Sequence, residues 1–220
     1  LNDRLASFGL RVPEPFACRI VSHVCAGLGY AHNYFASPQQ RGVLHGDVSP
    51  DNILVSYNGA VKVIDFGLAR AADDADRRDK KTVHGKMRYM APEGTEGRPV
   101  DARSDLFSLA IVLYETLTGA HPFGSETGLA AAAANARNDP RPPRDIVPDL
   151  PLALERILEL GLKRDPEERY VSADLMRRDL EAYLRSSATH VEDAELGEFV
   201  SSVVRGGDDD LEWLRSWGAM

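Results

Sequence analysis

Apolar residues recur at every third or fourth position from residue 15 to residue 35, where Phe16, Ile20, Val24, Leu28 and Ala31 share one face. That period predicts a helix with a single buried stripe, and the prolines at 13 and 15 suit its start. The same spacing returns at 105–117, across the alanine-rich 129–136, at 152–162 and at 172–184. Two short β-branched runs, 53–55 and 61–64, flank Tyr57, Asn58, Gly59 and Ala60, which is the punctuation of a hairpin. Residues 71–81 carry both charge signs with no apolar period, so a solvated loop is expected there. Beyond 185 the character changes to an acidic stretch at 191–198, a glycine and aspartate break at 206–210, and a last amphipathic turn with Leu211, Trp213, Leu214 and Trp217. The pattern therefore divides the chain into a mainly α domain over 1–184 and an acidic, partly ordered C-terminal tail over 185–220 that packs on it.

Composition narrows the possible roles. A chain of 220 residues can bury a substantial core. Its formal net charge of −8 argues against nucleic acid as a partner, because phosphate backbones reward basic surfaces. The longest uncharged apolar run, 106–114, is about half of what a bilayer-spanning helix needs and predicts a buried helix instead. Cys18 and Cys25 lie seven apart on one face of the first helix, as two core thiols would, which points to a reducing, cytoplasmic setting. The chain starts at Leu1 without a leader-like segment, and it is expected to be a piece of a longer protein.

The candidate chemistry lies in HGDVSPDN at 45–52 and IDFGLAR at 64–70. Asp47 and Asn52 stand on one tight turn, the predicted hairpin follows, and Asp65 comes directly after it, with Gly67 beside it to free the backbone. One carboxylate near a hydroxyl nucleophile and two oxygen ligands for magnesium are most of what phosphoryl transfer asks of a protein. Each residue alone would more often be a local hydrogen-bonding turn residue; their order along the chain changes that judgement.

Taken together these segments resemble the eukaryotic-like serine/threonine protein kinases that also occur in bacteria. HGDVSPDN resembles that family's catalytic loop, DFG at 65–67 and APE at 91–93 look like the ends of its activation segment, residues 104–123 resemble its buried central helix, and DPEERY at 165–170 resembles its late arginine motif. The resemblance covers about 1–184 and implies a mainly α, protein-kinase-like large lobe, helical with short β-hairpins at the catalytic cleft. It also implies ATP and Mg2+ as cofactors and a protein substrate as partner. Asp47, Asn52 and Lys86 are then the catalytic candidates, with Asp65, Asn52 and Ser49 on the nucleotide side and Asn52 and Asp65 as the metal ligands. His45 is implied to be structural, Asp105 to brace the loop from below, and Glu93 to pair with Arg169.

Three positions depart from the family pattern. Gly46 stands where arginine is usual, so phosphorylation of Thr82 is expected to matter less as an on-switch. Ser49 stands where the serine/threonine members carry lysine, and Lys86 stands where they carry threonine. The two facing positions are thus expected to be exchanged, with the Lys86 ammonium filling the space left at Ser49. Nothing before His45 resembles a glycine-rich phosphate loop or its lysine, and 1–15 looks like the stretch after the hinge between lobes. The small lobe is thus expected to be missing, and this chain alone to bind nucleotide weakly. Alternative readings are a pseudokinase scaffold that binds a protein partner and a small-molecule kinase of related fold; the retained Asp47, Asn52 and Asp65 weigh against the first, the APE segment against the second.

Overall fold

The computed structural model describes residues 2, 5, 11–34, 42–66, 87–137, 139–186 and 191–205. Helix α1 (Glu14–His32) begins behind Pro13 and buries Phe16, Ile20, Val24 and Leu28, the stripe its period predicts. Strands β1 (Ile53–Val55) and β2 (Val61–Val63) pair antiparallel, with Ile53 opposite Val63, Leu54 opposite Lys62 and Val55 opposite Val61. Ile53, Val55, Val61 and Val63 pack toward the core, while Leu54 and Lys62 point outward. A short helix α2 (Pro92–Thr95) follows, then α3 (Ala102–Thr118), started by Asp101, whose side chain accepts from the Arg103 N–H. Helix α3 is buried on nearly every face, from Asp105 through Tyr114, as its unbroken apolar run requires.

Helix α4 (Gly128–Arg137) packs beside α2, α5 (Leu152–Gly161) lies against α3, and α6 (Ala173–Ser186) lies along α1 and α5. The core is one cluster around α3, filled by Phe16, Leu28, Phe107, Leu109, Ile111, Leu113, Leu154, Met176 and Leu180 among others. Cys18 and Cys25 are free thiols inside it, and burial pushes both well above the ordinary thiol range. Among the described residues no helix is long and apolar enough to cross a membrane.

The first part of the chain after 185 packs on the domain. Residues 193–205 form a regular helix, α7 (Asp193–Arg205), with Leu196, Phe199, Val200 and Val203 buried. Phe199 stacks on Phe16 of α1 with ring centroids 4.2 Å apart. The acidic residues of its first turn face away from that stripe and favour the helix start. The solvated loop expected at 71–81, together with Gly67, Thr82 and Lys86 and the amphipathic turn at 211–217, lies outside the described residues.

Candidate active site

Two buried carboxylates and a histidine shape the loop that follows α1. The Asp105 side chain, from the first turn of α3, accepts the His45 N–H at 2.9 Å and the Gly46 N–H at 2.8 Å. Its Oδ2 also accepts from His32 Nε2 at 2.8 Å, so the end of α1, the loop and α3 meet at one buried carboxylate. Gly46 sits at φ +70 with open space where a Cβ would point. Only backbone conformation is at stake at that position, and glycine adopts it without the cost an L side chain would meet.

His45 is fully buried. Its Nδ1 accepts the Asp47 N–H at 3.2 Å, so the ring carries its proton on Nε2, which donates to the Ile64 carbonyl at 3.0 Å. The ring also packs against Phe66, 4.6 Å between centroids. His45 therefore ties the loop at 45–47 to the strand end at 64–66, and its two nitrogens are both committed to structure.

Asp47 and Asn52 are 8 % exposed each, so their bonds are made in a partly dry environment. The Asn52 amide nitrogen donates to both the Asp47 backbone oxygen and the Asp47 Oδ2, each at 2.8 Å. With the nitrogen so used, the amide offers its oxygen on the other side, which is the donor a hard cation takes. Ser49 is buried at the start of the 3₁₀ turn Pro50–Asn52, whose closing bond runs from the Asn52 N–H to the Ser49 carbonyl.

The hairpin carries this arrangement to Asp65. The Ile64 N–H donates to the Asn52 carbonyl at 3.0 Å, closing the base of the hairpin, and Asp65 follows at once. Asp65 is exposed and holds φ +52, the one positive φ among the described non-glycine residues. A non-glycine residue in that region stores backbone strain, which aspartate tolerates better than most. An exposed carboxylate and a fixed amide oxygen, joined through a closed hairpin, suit magnesium, which keeps waters and phosphate oxygens in its remaining positions.

The segment leading into α2 is anchored as firmly. His121 Nε2 donates to the Arg88 carbonyl at 3.0 Å while its Nδ1 accepts the Phe123 N–H at 3.2 Å. Burial, against the pull of nearby Glu115, lowers that imidazole to about 4. Asn135, fully buried on α4, donates to the carbonyls of Arg88 and Met90 at 2.8 and 2.9 Å. Glu115 accepts from Arg88 Nη2 at 2.9 Å and from the Tyr89 hydroxyl at 2.7 Å, and burial followed by that carboxylate pushes the phenol well above its ordinary range. Glu93 on α2 and Arg169 form a bidentate pair with both contacts at 2.8 Å and both side chains almost wholly excluded from solvent.

The structure thus joins Asp47 to Asn52, puts Ser49 on the same loop and Asp65 at the far end of the hairpin that follows, and leaves Lys86 outside its described residues. Four supporting residues escaped the sequence reading: His32, His121 and Asn135, which act through partners distant in the chain, and Leu54. Leu54 is 52 % exposed on the outward face of the hairpin between Asn52 and Asp65, and strict alternation along 53–55 was the signal that could have found it.

The protein kinase domain family matches residues 1–180 of the chain. The chain belongs to that family. Among curated relatives, the tyrosine-protein kinase MasK of Myxococcus xanthus is 38 % identical over 190 residues, which is 86 % of this chain and 29 % of MasK. The serine/threonine-protein kinase PknB of Mycolicibacterium smegmatis is 41 % identical over 166 residues, 74 % of this chain and 25 % of that protein. PknB of Mycobacterium tuberculosis is 40 % identical over 182 residues, 82 % of this chain and 28 % of that protein. The kinase domain described here therefore spans between a quarter and three tenths of the length of the curated relatives it matches. It belongs with bacterial protein kinases, and α7 lies beyond the matched residues.

Proposed function

We propose that residues 1–184 are the large lobe of an ATP-dependent protein serine/threonine kinase that works in the cytoplasm and transfers the γ-phosphate of ATP to a protein hydroxyl. The observation that carries this reading is the pair of hydrogen bonds donated by the Asn52 amide to Asp47, which fixes a carboxylate and an amide oxygen at the head of the hairpin that ends in Asp65. Asp47 orients the acceptor hydroxyl and takes its proton, while Asn52 and Asp65 hold magnesium. Magnesium supplies neutralisation of phosphate charge when bound. The outward face of the hairpin, with Leu54 and Lys62 exposed, is where a small lobe would close over the nucleotide.

MasK is named a tyrosine kinase and the PknB proteins serine/threonine kinases, so acceptor class is the first thing to test. Proline 50, following Ser49 in the loop, supports the serine/threonine reading. Incubating the full-length protein with radiolabelled ATP and mixed protein acceptors, then separating phosphoamino acids, is expected to yield phosphoserine and phosphothreonine. Phosphotyrosine alone would place the enzyme in the other branch.

Ser49 and Lys86 define the second test. Ser49 is buried two residues after Asp47, and Lys86 immediately precedes the anchored segment at 87–90. Lys86→Thr is expected to lose about 10²-fold in kcat, the usual scale for one electrostatic donor at a transferring group. Adding Ser49→Lys is expected to restore much of it, and a double-mutant cycle with no recovery would show that the two positions are independent.

A further inference from the structure

The hairpin that links Asn52 to Asp65 has only three residues in each strand, too little to hold its own geometry in water. One face is supported by α1, where Val63 Cγ2 lies against Gly27. The turn at its tip is supported by α7. A Cβ at Gly59, which has φ +79, would collide with the Asp193 carbonyl, and a Cβ at Gly197 would come 2.5 Å from the Tyr57 carbonyl oxygen. Two glycines, one on each side, therefore let the helix backbone and the turn backbone touch.

Around that contact α7 is fastened at both ends. Asp193 accepts from Arg19 Nε at 3.1 Å and meets His23 Nε2 at 2.9 Å, both on α1. Arg205 lays its guanidinium 3.9 Å over the Tyr57 ring, which is half exposed at the turn. Phe199 and Phe16 stack between these points. The helix thus bridges the first core helix and the tip of the hairpin, and it does so from outside the residues that match the kinase family.

We propose that α7 is a positioning element of the catalytic unit: by gripping the β1–β2 turn through Gly59, Gly197 and the Arg205–Tyr57 contact, it sets the relative placement of Asn52 and Asp65 and so the affinity for magnesium–nucleotide. The inference rests on the reading of those two residues as the magnesium holders. The mechanical route is short. Movement of the turn is transmitted along both strands to the Ile64–Asn52 hydrogen bond, on whose two sides the ligands stand.

Gly197→Leu in the full-length protein forces the helix off the turn, and Glu198→Ala, on the exposed face of α7, serves as the control. Two readouts are taken: hydrogen exchange of the Ser56 and Ile64 amides, and magnesium titration of the binding of a fluorescent ATP analogue. Gly197→Leu is expected to deprotect both amides and to raise the magnesium concentration for half-maximal binding by about tenfold or more, the scale seen when groups supporting metal ligands are lost. Binding of the analogue without magnesium is expected to stay within about twofold, because the grip acts on the ligands and not on the base platform. Arg205→Glu, which leaves the glycine contact in place, is expected to shift the titration in the same direction by about threefold and covers the case in which Gly197→Leu does not fold. An unchanged magnesium titration with the amides deprotected, or an equal loss with and without magnesium, overturns the proposal. Absence of any magnesium-dependent binding in the unsubstituted protein overturns the assignment of Asn52 and Asp65, and the inference with it.

Discussion

Asp47→Asn in the full-length protein is expected to lower kcat by about 10³-fold or more while KM for ATP changes by less than about threefold. The asymmetry follows from what the side chain touches. Its Oδ2 accepts from the Asn52 amide, a bond that an asparagine oxygen can also accept, and its backbone N–H and carbonyl bonds to His45 and Asn52 do not involve the carboxylate. The loop therefore keeps its shape, and the melting temperature is expected to move by less than about 2 °C. On the proposed reading what is lost is the group that takes the acceptor proton, and only the transition state feels that loss. Steady-state phosphorylation of a protein acceptor, with calorimetric ATP binding alongside, separates the two parameters. A proportional rise in KM with kcat intact would mean that Asp47 serves nucleotide binding and not the transfer step.

The sequence made much of this site readable for two different reasons. Period alone placed the first helix, because Phe16, Ile20, Val24 and Leu28 are buried by one another's neighbours and repeat with the turn. The order of residue types put Asp47 and Asn52 on one turn and Asp65 after a hairpin, and the structure has that turn and that hairpin. His32 shows what such patterns cannot carry. Its partner Asp105 is 73 residues away, and a lone histidine near a helix end looks the same in sequence whether it braces a loop or faces water. Asn135 in its alanine-rich helix is hidden for the same reason: the carbonyls it satisfies are more than forty residues distant.

Helix α7 was hidden differently. Leu196, Phe199, Val200 and Val203 have helical spacing, but four acidic residues between 192 and 198 obscure it, so composition reads only as a partly ordered acidic tail packing on the domain. In the structure the charges occupy the first turn and the outer face, while the stripe closes the core beside Phe16. The exchange of charge between Ser49 and Lys86 depends on a position outside the described residues, so its support comes from the burial of Ser49 and from the anchoring of 87–90.

Arg169→Ala is expected to destabilise the domain by roughly 3–5 kcal/mol, the cost of leaving one partner of a buried ion pair alone. Every donor of this guanidinium is engaged. Nη1 and Nη2 hold the two Glu93 oxygens at 2.8 Å, Nε donates to the Lys163 carbonyl at 2.7 Å, Nη2 to the Arg164 carbonyl at 2.8 Å and Nη1 to the Arg103 carbonyl at 3.3 Å. The plane also lies 4.7 Å from the centroid of Phe107 in α3. Lysine offers no planar fork, so Arg169→Lys is expected to recover less than half of the loss. Burial alone would push the Glu93 carboxyl up, but the bonds from Arg169 and Ser104 outweigh it and hold the group below its ordinary 4.5. A depressed carboxyl contributes stability that is complete above the unfolded value and disappears as pH falls through the folded one. Urea unfolding at pH 7 and again below pH 4 therefore distinguishes the pair from a packing effect: the gap between the unsubstituted domain and Arg169→Ala should narrow in acid, whereas loss of the Phe107 contact alone would leave it constant. Because α2 follows directly on the segment held by His121 and Asn135, the same substitution is expected to loosen the floor on which a protein acceptor would lie, lowering phosphorylation of protein more than turnover of ATP.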